Sequence, residues 1–188
     1  MEGEHAVRKV VWQMMFTLDG FMAGPKGALD WHVIDDDFKK YVADMPKRID
    51  TFIFGRVTYE LMADFWPSSN EPEAPMMNTF PKLVFSRTLK ETPWNRSRLA
   101  TKSVPEEVAR LKGEPGKDIA LLGSSDLAST FIRHGLIDEY RLLLNPLARG
   151  AGLPLFQGLE KPLFLRLEKA QTFASGVVAL TYTPETKK

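Results

Sequence analysis

The sequence predicts one α/β domain, covering all of residues 1–188, with a mixed, mainly parallel β-sheet flanked by helices. Apolar segments of strand length alternate with segments of helical periodicity, an order typical of parallel sheets. At Gly55 and again at Gly123, a glycine directly follows an apolar strand and precedes a helix. Toward the C-terminus, alternating apolar residues indicate an antiparallel strand pair that closes one edge of the sheet.

The first half of the chain supplies most of the parallel strands. Residues 8–16 are apolar on both faces, which predicts a central buried strand. Three glycines and a proline in residues 17–27 predict a long loop that is either a functional lid or a plain crossover. Residues 35–45 predict an amphipathic helix stopped by Pro46. The other predicted elements here are a strand at 51–54, a helix at 57–65 with Val57, Leu61 and Phe65 on one face, a loop at 67–81 and a strand at 82–85.

The second half continues the alternation and then changes character. Ser103 and Glu106 form a capping-box signature at the start of a helix. The elements predicted after it are a buried strand at 119–122, a helix that closes at Gly135, a strand at 138–144, a glycine-bearing loop at 145–156, and the antiparallel runs 163–168 and 177–182.

Composition narrows the possible functions. The net charge of +1 provides no basic surplus, so we expect neither nucleic-acid nor membrane partners. The chain has no cysteine and three scattered histidines, so we expect no disulfide and no metal site. It shows neither a signal-peptide pattern nor an apolar run of membrane-span length, and we expect a cytoplasmic protein.

Four segments that directly follow predicted strands carry groups suited to an anion. They are residues 17–20, 55–58, 86–88 and 123–125. Parallel strands end at a common edge, where ligands of such sheets bind, so we expect the four segments to meet in one cleft. Gly55 opens a helix N-terminus, Arg56 adds a planar cation and Thr58 a hydroxyl. An ordinary turn with a solvated arginine is the alternative, and the convergence of four segments favours the anion site.

Taken in order, these motifs resemble a known superfamily. They are Thr17-Leu18-Asp19-Gly20, Gly55-Arg56-Val57-Thr58-Tyr59-Glu60, Leu122-Gly123-Ser124-Ser125, Asp138-Glu139, and Asn145-Pro146-Leu147-Ala148-Arg149-Gly150-Ala151-Gly152. The chain resembles the dihydrofolate reductase-like superfamily, and within it the C-terminal reductase domain of the riboflavin-biosynthesis protein RibD, in a stand-alone form. The resemblance spans about residues 8–183. It implies NADPH bound across the strand ends.

The resemblance also implies which residues hold the cofactor. They are Gly55, Arg56 and Thr58 at the phosphates; Ser86 and Arg87 near the adenosine 2′-phosphate; Gly123, Ser124 and Ser125 at the pyrophosphate; and Thr17, Asp19 and Gly20 at the nicotinamide and lid. Two arginines near a ribose favour NADPH over NADH, because a 2′-phosphate needs cationic partners.

The substrate side of the site is less constrained. Gln13 stands where RibD proteins typically carry lysine, and Leu122 stands where they often carry glutamate. We expect Gln13, Trp31 and His32 to line the substrate pocket, although Trp31 and His32 also fit ordinary loop residues. Asp36 is the expected catalytic acid, since a partly shielded carboxyl group can pass on a proton through water. The alternative is that the acids at 35–37 only cap their helix.

These observations lead to one main hypothesis and two alternatives. The main hypothesis is an NADPH-dependent reductase of a small carbonyl, imine or heterocyclic substrate of the pterin- or flavin-precursor-like kind. By resemblance this activity is similar to that of 5-amino-6-(5-phosphoribosylamino)uracil reductase or dihydrofolate reductase. The first alternative is a nucleotide-binding module without efficient turnover. The second is a structural homodimer that pairs through the strands at 163–183, and a homodimer is also expected of the reductase.

Overall fold

The computed structural model describes residues 7–185, which form ten β-strands and six α-helices. The strands are β1 (Val10–Thr17), β2 (Phe21–Ala23), β3 (Ile49–Gly55), β4 (Lys82–Phe85), β5 (Ser97–Leu99), β6 (Asp118–Leu122), β7 (Glu139–Asn145), β8 (Leu153–Pro154), β9 (Leu165–Thr172) and β10 (Val178–Pro184). The helices are α1 (Asp36–Ala43), α2 (Met45–Arg48), α3 (Arg56–Phe65), α4 (Ala74–Thr79), α5 (Val104–Gly113) and α6 (Ser125–Arg133).

Eight strands form one mixed sheet in the order β5-β4-β3-β6-β1-β7-β10-β9. The strands from β5 to β7 in this order run parallel, whereas β10 is antiparallel to both β7 and β9. The predicted mixed, mainly parallel sheet with a C-terminal antiparallel pair at its edge is therefore confirmed. The short strands β2 and β8 pair separately and join the loop after β1 to the loop after β7.

The central position of β1 follows from its apolar residues on both faces. Trp12 is fully buried against α5 and α6, in a cluster that includes Val108 and Phe131. On the opposite face, Val11 packs in a cluster with Met45 of α2. Both faces of the strand are thereby removed from water, as its continuous apolar sequence predicts.

The apolar face predicted for α3 does not pack against the sheet. Val57, Leu61 and Phe65 are 58%, 53% and 53% exposed, respectively, whereas Tyr59 is buried and Met62 packs beside it. The helix carries two apolar stripes, so its periodicity alone does not decide which stripe faces the sheet.

Two further differences concern short elements. Pro46 does not stop a helix; α1 already ends at Ala43, and Pro46 lies in the first turn of α2, where its missing N–H costs little. The segment 67–81, expected to be a loop, contains α4, which buries Met77. β5 has three half-buried residues, too few for a recognisable alternation.

Candidate functional site

The ends of four parallel strands bring the expected segments to one edge of the sheet. β1 ends at Thr17, β3 at Gly55, β4 at Phe85 and β6 at Leu122. These strands run parallel within one sheet, so their carboxyl ends share an edge. The predicted convergence of the segments after them follows from this topology.

The two strand–glycine–helix turns pack directly against each other. A Cβ atom added to Gly123 would lie 2.7 Å from Thr58 Oγ1, and one added to Gly55 would lie 2.9 Å from Ser124 Oγ. Gly123 also has a φ of +67°, in the region that favours glycine. The glycines therefore allow the N-termini of α3 and α6 to form a single polar surface.

The N-termini of α3 and α6 differ in how many N–H groups they leave free. The first N–H groups of any α-helix lack intrahelical partners. In α6, Ser124 Oγ accepts from the N–H of Leu127 at 3.2 Å, and the N–H of Ser125 donates to Met22 Sδ at 3.3 Å. Gly55 provides no side-chain cap for α3. The α3 N-terminus is thus the stronger anion site of the two.

Arg56 lies at the first position of α3 with its side chain 44% exposed. Its Nη1 donates to Glu60 Oε2 at 2.8 Å, one turn further along the helix. An exposed pair of this spacing is worth about 0.3–0.5 kcal/mol, so a phosphate group can displace Glu60 at little cost.

Ser86 and Arg87 follow β4, the strand next to β3. Ser86 Oγ accepts from the N–H groups of Thr88 at 3.1 Å and Leu89 at 2.9 Å, which shapes the turn. Arg87 is exposed. An exposed cation and a hydroxyl therefore follow the strand next to β3. They lie at the edge of the sheet where the parallel strands end, which we call the rim.

Asp19 joins two loops, and its cofactor contact stays a prediction. Its Oδ1 accepts from Thr17 Oγ1 at 2.5 Å, while its Oδ2 accepts from the N–H groups of Arg149 at 2.9 Å and Gly150 at 2.6 Å. The Thr17 hydroxyl, followed by the Gly150 N–H, lowers the pKa of this carboxyl. Oδ2 thus holds the loop after β1 against the loop after β7, while Oδ1 is fixed by Thr17 at the end of β1.

Gly20 completes this joint through its backbone. Its φ of +85° allows a tight turn, in which its N–H donates to Thr17 O at 2.9 Å. Its carbonyl accepts from the N–H of Leu155 at 2.8 Å. The segment expected to act as a lid is held at both Asp19 and Gly20.

Trp31 and His32 lie beneath the strand ends. Trp31 is 8% exposed, packs with Met15 and Leu143, and donates its Nε1–H to Ala28 O at 3.2 Å. His32 packs against the Trp31 ring, and its buried Nε2 has no hydrogen-bond partner in the range that the structure describes. Burial lowers the pKa of His32 to about 4, so the imidazole is neutral at physiological pH. Trp31 is therefore a residue of the hydrophobic core. A proton relay through His32 would have to start from the neutral imidazole.

Gln13 projects from the middle of β1. Its Nε2 lies 3.6 Å from Met45 Sδ, while its Oε1 is buried and meets no hydrogen-bond donor within the described part of the chain. Its neighbour across the sheet is Arg141, in register on β7. The sequence analysis did not identify Arg141 as a candidate site residue. The signal that could have indicated it is a charged pair, Glu139 and Arg141, in an otherwise buried strand.

Asp36 is exposed at the first position of α1, so the shielding expected for a catalytic acid is absent. The carboxylates on either side of it bind backbone N–H groups. Asp35 accepts from the N–H of Phe38 at 2.7 Å, and Asp37 accepts from the N–H of Ala174 at 2.9 Å. Proton donation by Asp36 stays a prediction, and it would have to occur from a solvated position.

Residues 7–185 contain neither a membrane-spanning helix nor a cluster of metal ligands. None of the helices there is long and apolar enough to cross a bilayer. Within the same range, no three His, Asp or Glu side chains are grouped so that they could hold a metal ion.

The sequence of the chain matches a known family. The family model described as "RibD C-terminal domain" matches residues 8–179. The uncharacterised protein YyaP of Bacillus subtilis (strain 168) is 36% identical over 180 residues, covering 93% of this chain and 94% of YyaP.

Solved structures extend the likeness at the level of the fold. A protein from Shewanella sp. PV-4, provisionally assigned to riboflavin biosynthesis, superposes with a TM-score of 0.76 at 23% identity, covering 95% of this chain and 99% of that one. Dihydrofolate reductase from Enterococcus faecalis, in complex with NADP(H), superposes with a TM-score of 0.64 at 16% identity, covering 95% and 97% of the two chains.

Proposed function

The chain belongs to the RibD C-terminal domain family, and we propose that it is an NADPH-dependent reductase of a small carbonyl, imine or heterocyclic compound. Pterin- and flavin-precursor-like molecules are the substrate class that this family membership suggests. The related fold of a dihydrofolate reductase in complex with NADP(H) supports the choice of cofactor.

The observation that carries the proposal is the packing of the two glycine turns. Only glycine at 123 allows Thr58 to lie so close, and only glycine at 55 allows the same for Ser124. The N-terminus of α3, next to these contacts, has no side-chain cap. Free N–H groups, hydroxyls and the Arg56 guanidinium then face one rim, a donor set that fits the phosphates of a dinucleotide. When bound, the nicotinamide supplies the hydride.

Selectivity for NADPH is assigned to Arg87. It is exposed and follows β4, the strand next to β3, where its guanidinium can meet a 2′-phosphate in two hydrogen bonds. The Asp19 joint holds the loop after β1 in place at the other end of the rim. Bulk water or the exposed Asp36 supplies the proton that a reduced product needs.

A nucleotide-binding module without efficient turnover is the second candidate. It is favoured by the substrate side, where Trp31 is part of the core and Asp36 lacks shielding. Under this alternative the rim binds NADPH but no substrate is reduced.

Thermal unfolding with NADPH separates these candidates. At about one hundred times its dissociation constant, a ligand of the native state stabilises by roughly 2.7 kcal/mol, which for a chain of this length raises Tm by about 5–10 °C. No rise in Tm would refute both candidates. A rise without oxidation of NADPH by a panel of carbonyls, imines and pterins would favour the binding module.

Arg87→Ala tests the 2′-phosphate assignment. We expect about tenfold weaker binding of NADPH and nearly unchanged binding of NADH, because charge-assisted hydrogen bonds are lost only with the phosphorylated cofactor. Arg166→Ala, at an arginine 69% exposed on β9 at the far edge of the sheet, is the matched control. Equal losses for both cofactors would sink the assignment.

A further inference from the structure

A polar groove of about 350 Å³ lies away from the strand ends. One wall is formed by α1 and α2, and the floor is formed by β7, β10 and β9. Its lining includes Lys40, Tyr41, Arg48, Arg141 and Lys169. Here we call it the Arg141 groove.

Arg141 forms part of its floor and has unused hydrogen-bonding capacity. Its side chain is only 9% exposed. The Nε donates to Glu139 Oε1 at 2.6 Å, but Nη2 is buried and has no hydrogen-bond partner among residues 7–185. A buried donor without a partner costs about 1–3 kcal/mol, and more for a charged group, so such atoms call for an explanation.

Arg141 shares its carboxylate partner with a second arginine. Glu139, its carboxylate partner, is shared with Arg48, whose Nη2 lies 3.2 Å from Glu139 Oε2. Burial by itself would raise the pKa of Glu139, but Arg141 and Arg48 keep it below its ordinary value, so the carboxylate stays charged. Arg48 also approaches Asp118 at 3.5 Å. Because Glu139 uses only one nitrogen of Arg141, the remaining face of that guanidinium is left for another acceptor.

Lys169 adds a cation at the entrance of the groove. Lys169 on β9 is exposed and, among the described residues 7–185, forms no ion pair. It aligns with Thr181, which in turn aligns with Arg141, so the three side chains share one row across β9, β10 and β7. The acids that line the groove are engaged: Asp37 with Lys40 at 3.5 Å and Asp44 with Lys47 at 2.6 Å.

The groove is separate from the cofactor rim. Arg141 is in register with Gln13, four residues before Thr17, which places it about 13 Å from the strand ends. Met15 and Leu143 fill the rows between, packed with Tyr41 and Phe173. An anion at Arg141 would therefore not be a phosphate of a dinucleotide on the rim.

We propose that the Arg141 groove binds a small oxyanion, a carboxylate or a phosphate, with Arg141 as its main ligand and Lys169 as a cation at the entrance. The oxyanion accepts from the unused nitrogen of the guanidinium and completes its hydrogen bonding. Carboxylate and phosphate both suit the planar fork of arginine. This site goes beyond the proposed reductase function and does not depend on it.

Nuclear magnetic resonance can observe the site directly. The Nε–H of Arg141 is hydrogen-bonded and buried, and its resonance is assigned by its disappearance in Arg141→Lys. Inorganic phosphate and acetate, each titrated against chloride at constant ionic strength, should shift this resonance to saturation. The two titrations separate a phosphate preference from a carboxylate preference. Inorganic phosphate is then titrated into the variants, with binding followed by calorimetry.

Arg141→Lys keeps the charge beside Glu139 but removes the second nitrogen, and we expect about tenfold weaker binding. Lys169→Ala should weaken binding by a few-fold, more at low salt than at high salt. Lys102→Ala, at an exposed lysine before α5 on the other layer, should have no effect.

Four results would overturn the proposal. They are no saturable shift with either anion, an equal shift with chloride, equal affinity in Arg141→Lys, and a resonance that shifts on protein dilution alone, which would mean that a carboxylate of a second copy occupies the groove. NADPH binding is measured on the same samples. Loss of the anion site with NADPH binding intact refutes only this inference, and the reverse refutes only the reductase.

Discussion

Gly123→Ala tests whether the contact between the two glycine turns depends on the missing side chain. The change adds a Cβ atom 2.7 Å from Thr58 Oγ1 and 2.9 Å from Thr58 Cγ2, in a backbone with φ of +67°. The left-handed conformation costs alanine about 1–2 kcal/mol. Overpacking adds about 1–3 kcal/mol, so we expect a total loss of roughly 2–5 kcal/mol.

Gly135→Ala separates the two contributions. Gly135 has a φ of +63°, and no heavy atom lies within 4 Å of an added Cβ, so this variant should show only the backbone cost of about 1–2 kcal/mol. The double variant Gly123→Ala/Thr58→Ala removes both close atoms and leaves Thr58 Cβ at 3.4 Å. It should recover the overpacking part.

Urea unfolding of the wild type, the single variants and the double variant gives the coupling energy between positions 123 and 58. We expect a favourable coupling of about 1–3 kcal/mol, and weaker NADPH binding in Gly123→Ala. A Gly123→Ala variant no less stable than Gly135→Ala, or a Thr58→Ala change that recovers nothing, would refute the packing argument.

Three other predictions follow from single contacts. Burial alone would raise the pKa of Glu107, but the hydrogen bond and charge of Arg98 help to lower it to about 2. The contribution of Glu107 to the free energy of unfolding is therefore present above about pH 4.5 and lost as the pH falls toward 2. Glu107→Gln should cost about 1–3 kcal/mol at pH 7 and should flatten the acid side of a profile of stability in urea against pH. Asp19→Ala should speed hydrogen exchange of the two loop amides bonded to its carboxylate, while Asp30→Ala, which removes only a surface ion pair, should not; equal exchange would show that the Asp19 joint is not what holds the loops. Leu167 is 50% exposed on the edge strand β9, so Leu167→Lys should shift a homodimer toward monomer in light scattering, and an unchanged mass would exclude edge pairing through this residue.

Much of the fold and part of the site could be predicted from the chain alone. Alternating strands and helices imply parallel strands, and parallel strands place their carboxyl ends at one edge. For that reason the segments at 55–58 and 123–125 could be assigned to one place before any contact was known. The glycines at 55 and 123 are visible in the sequence, and the structure shows the close packing that they allow.

The functional role of other residues could not be predicted because it depends on distant partners. Asp19 meets the backbone at 149 and 150, more than a hundred residues away. The sequence indicates Trp31 as a residue of the substrate pocket, and the structure packs it in a buried cluster with Met15 and Leu143. The acid at position 36 was expected to be shielded, but the rotation of α1 leaves it in water.

The sequence by itself determined the order of the elements, the parallel sheet and the rim at its edge, because these follow from local periodicity and from chain connectivity. Only the tertiary structure decided which apolar stripe of α3 faces solvent, that the α3 N-terminus is less capped than that of α6, and that Arg141 is buried with a nitrogen to spare. The physical reason is that helix rotation, burial and hydrogen-bond completion depend on atoms contributed by segments far apart in the chain.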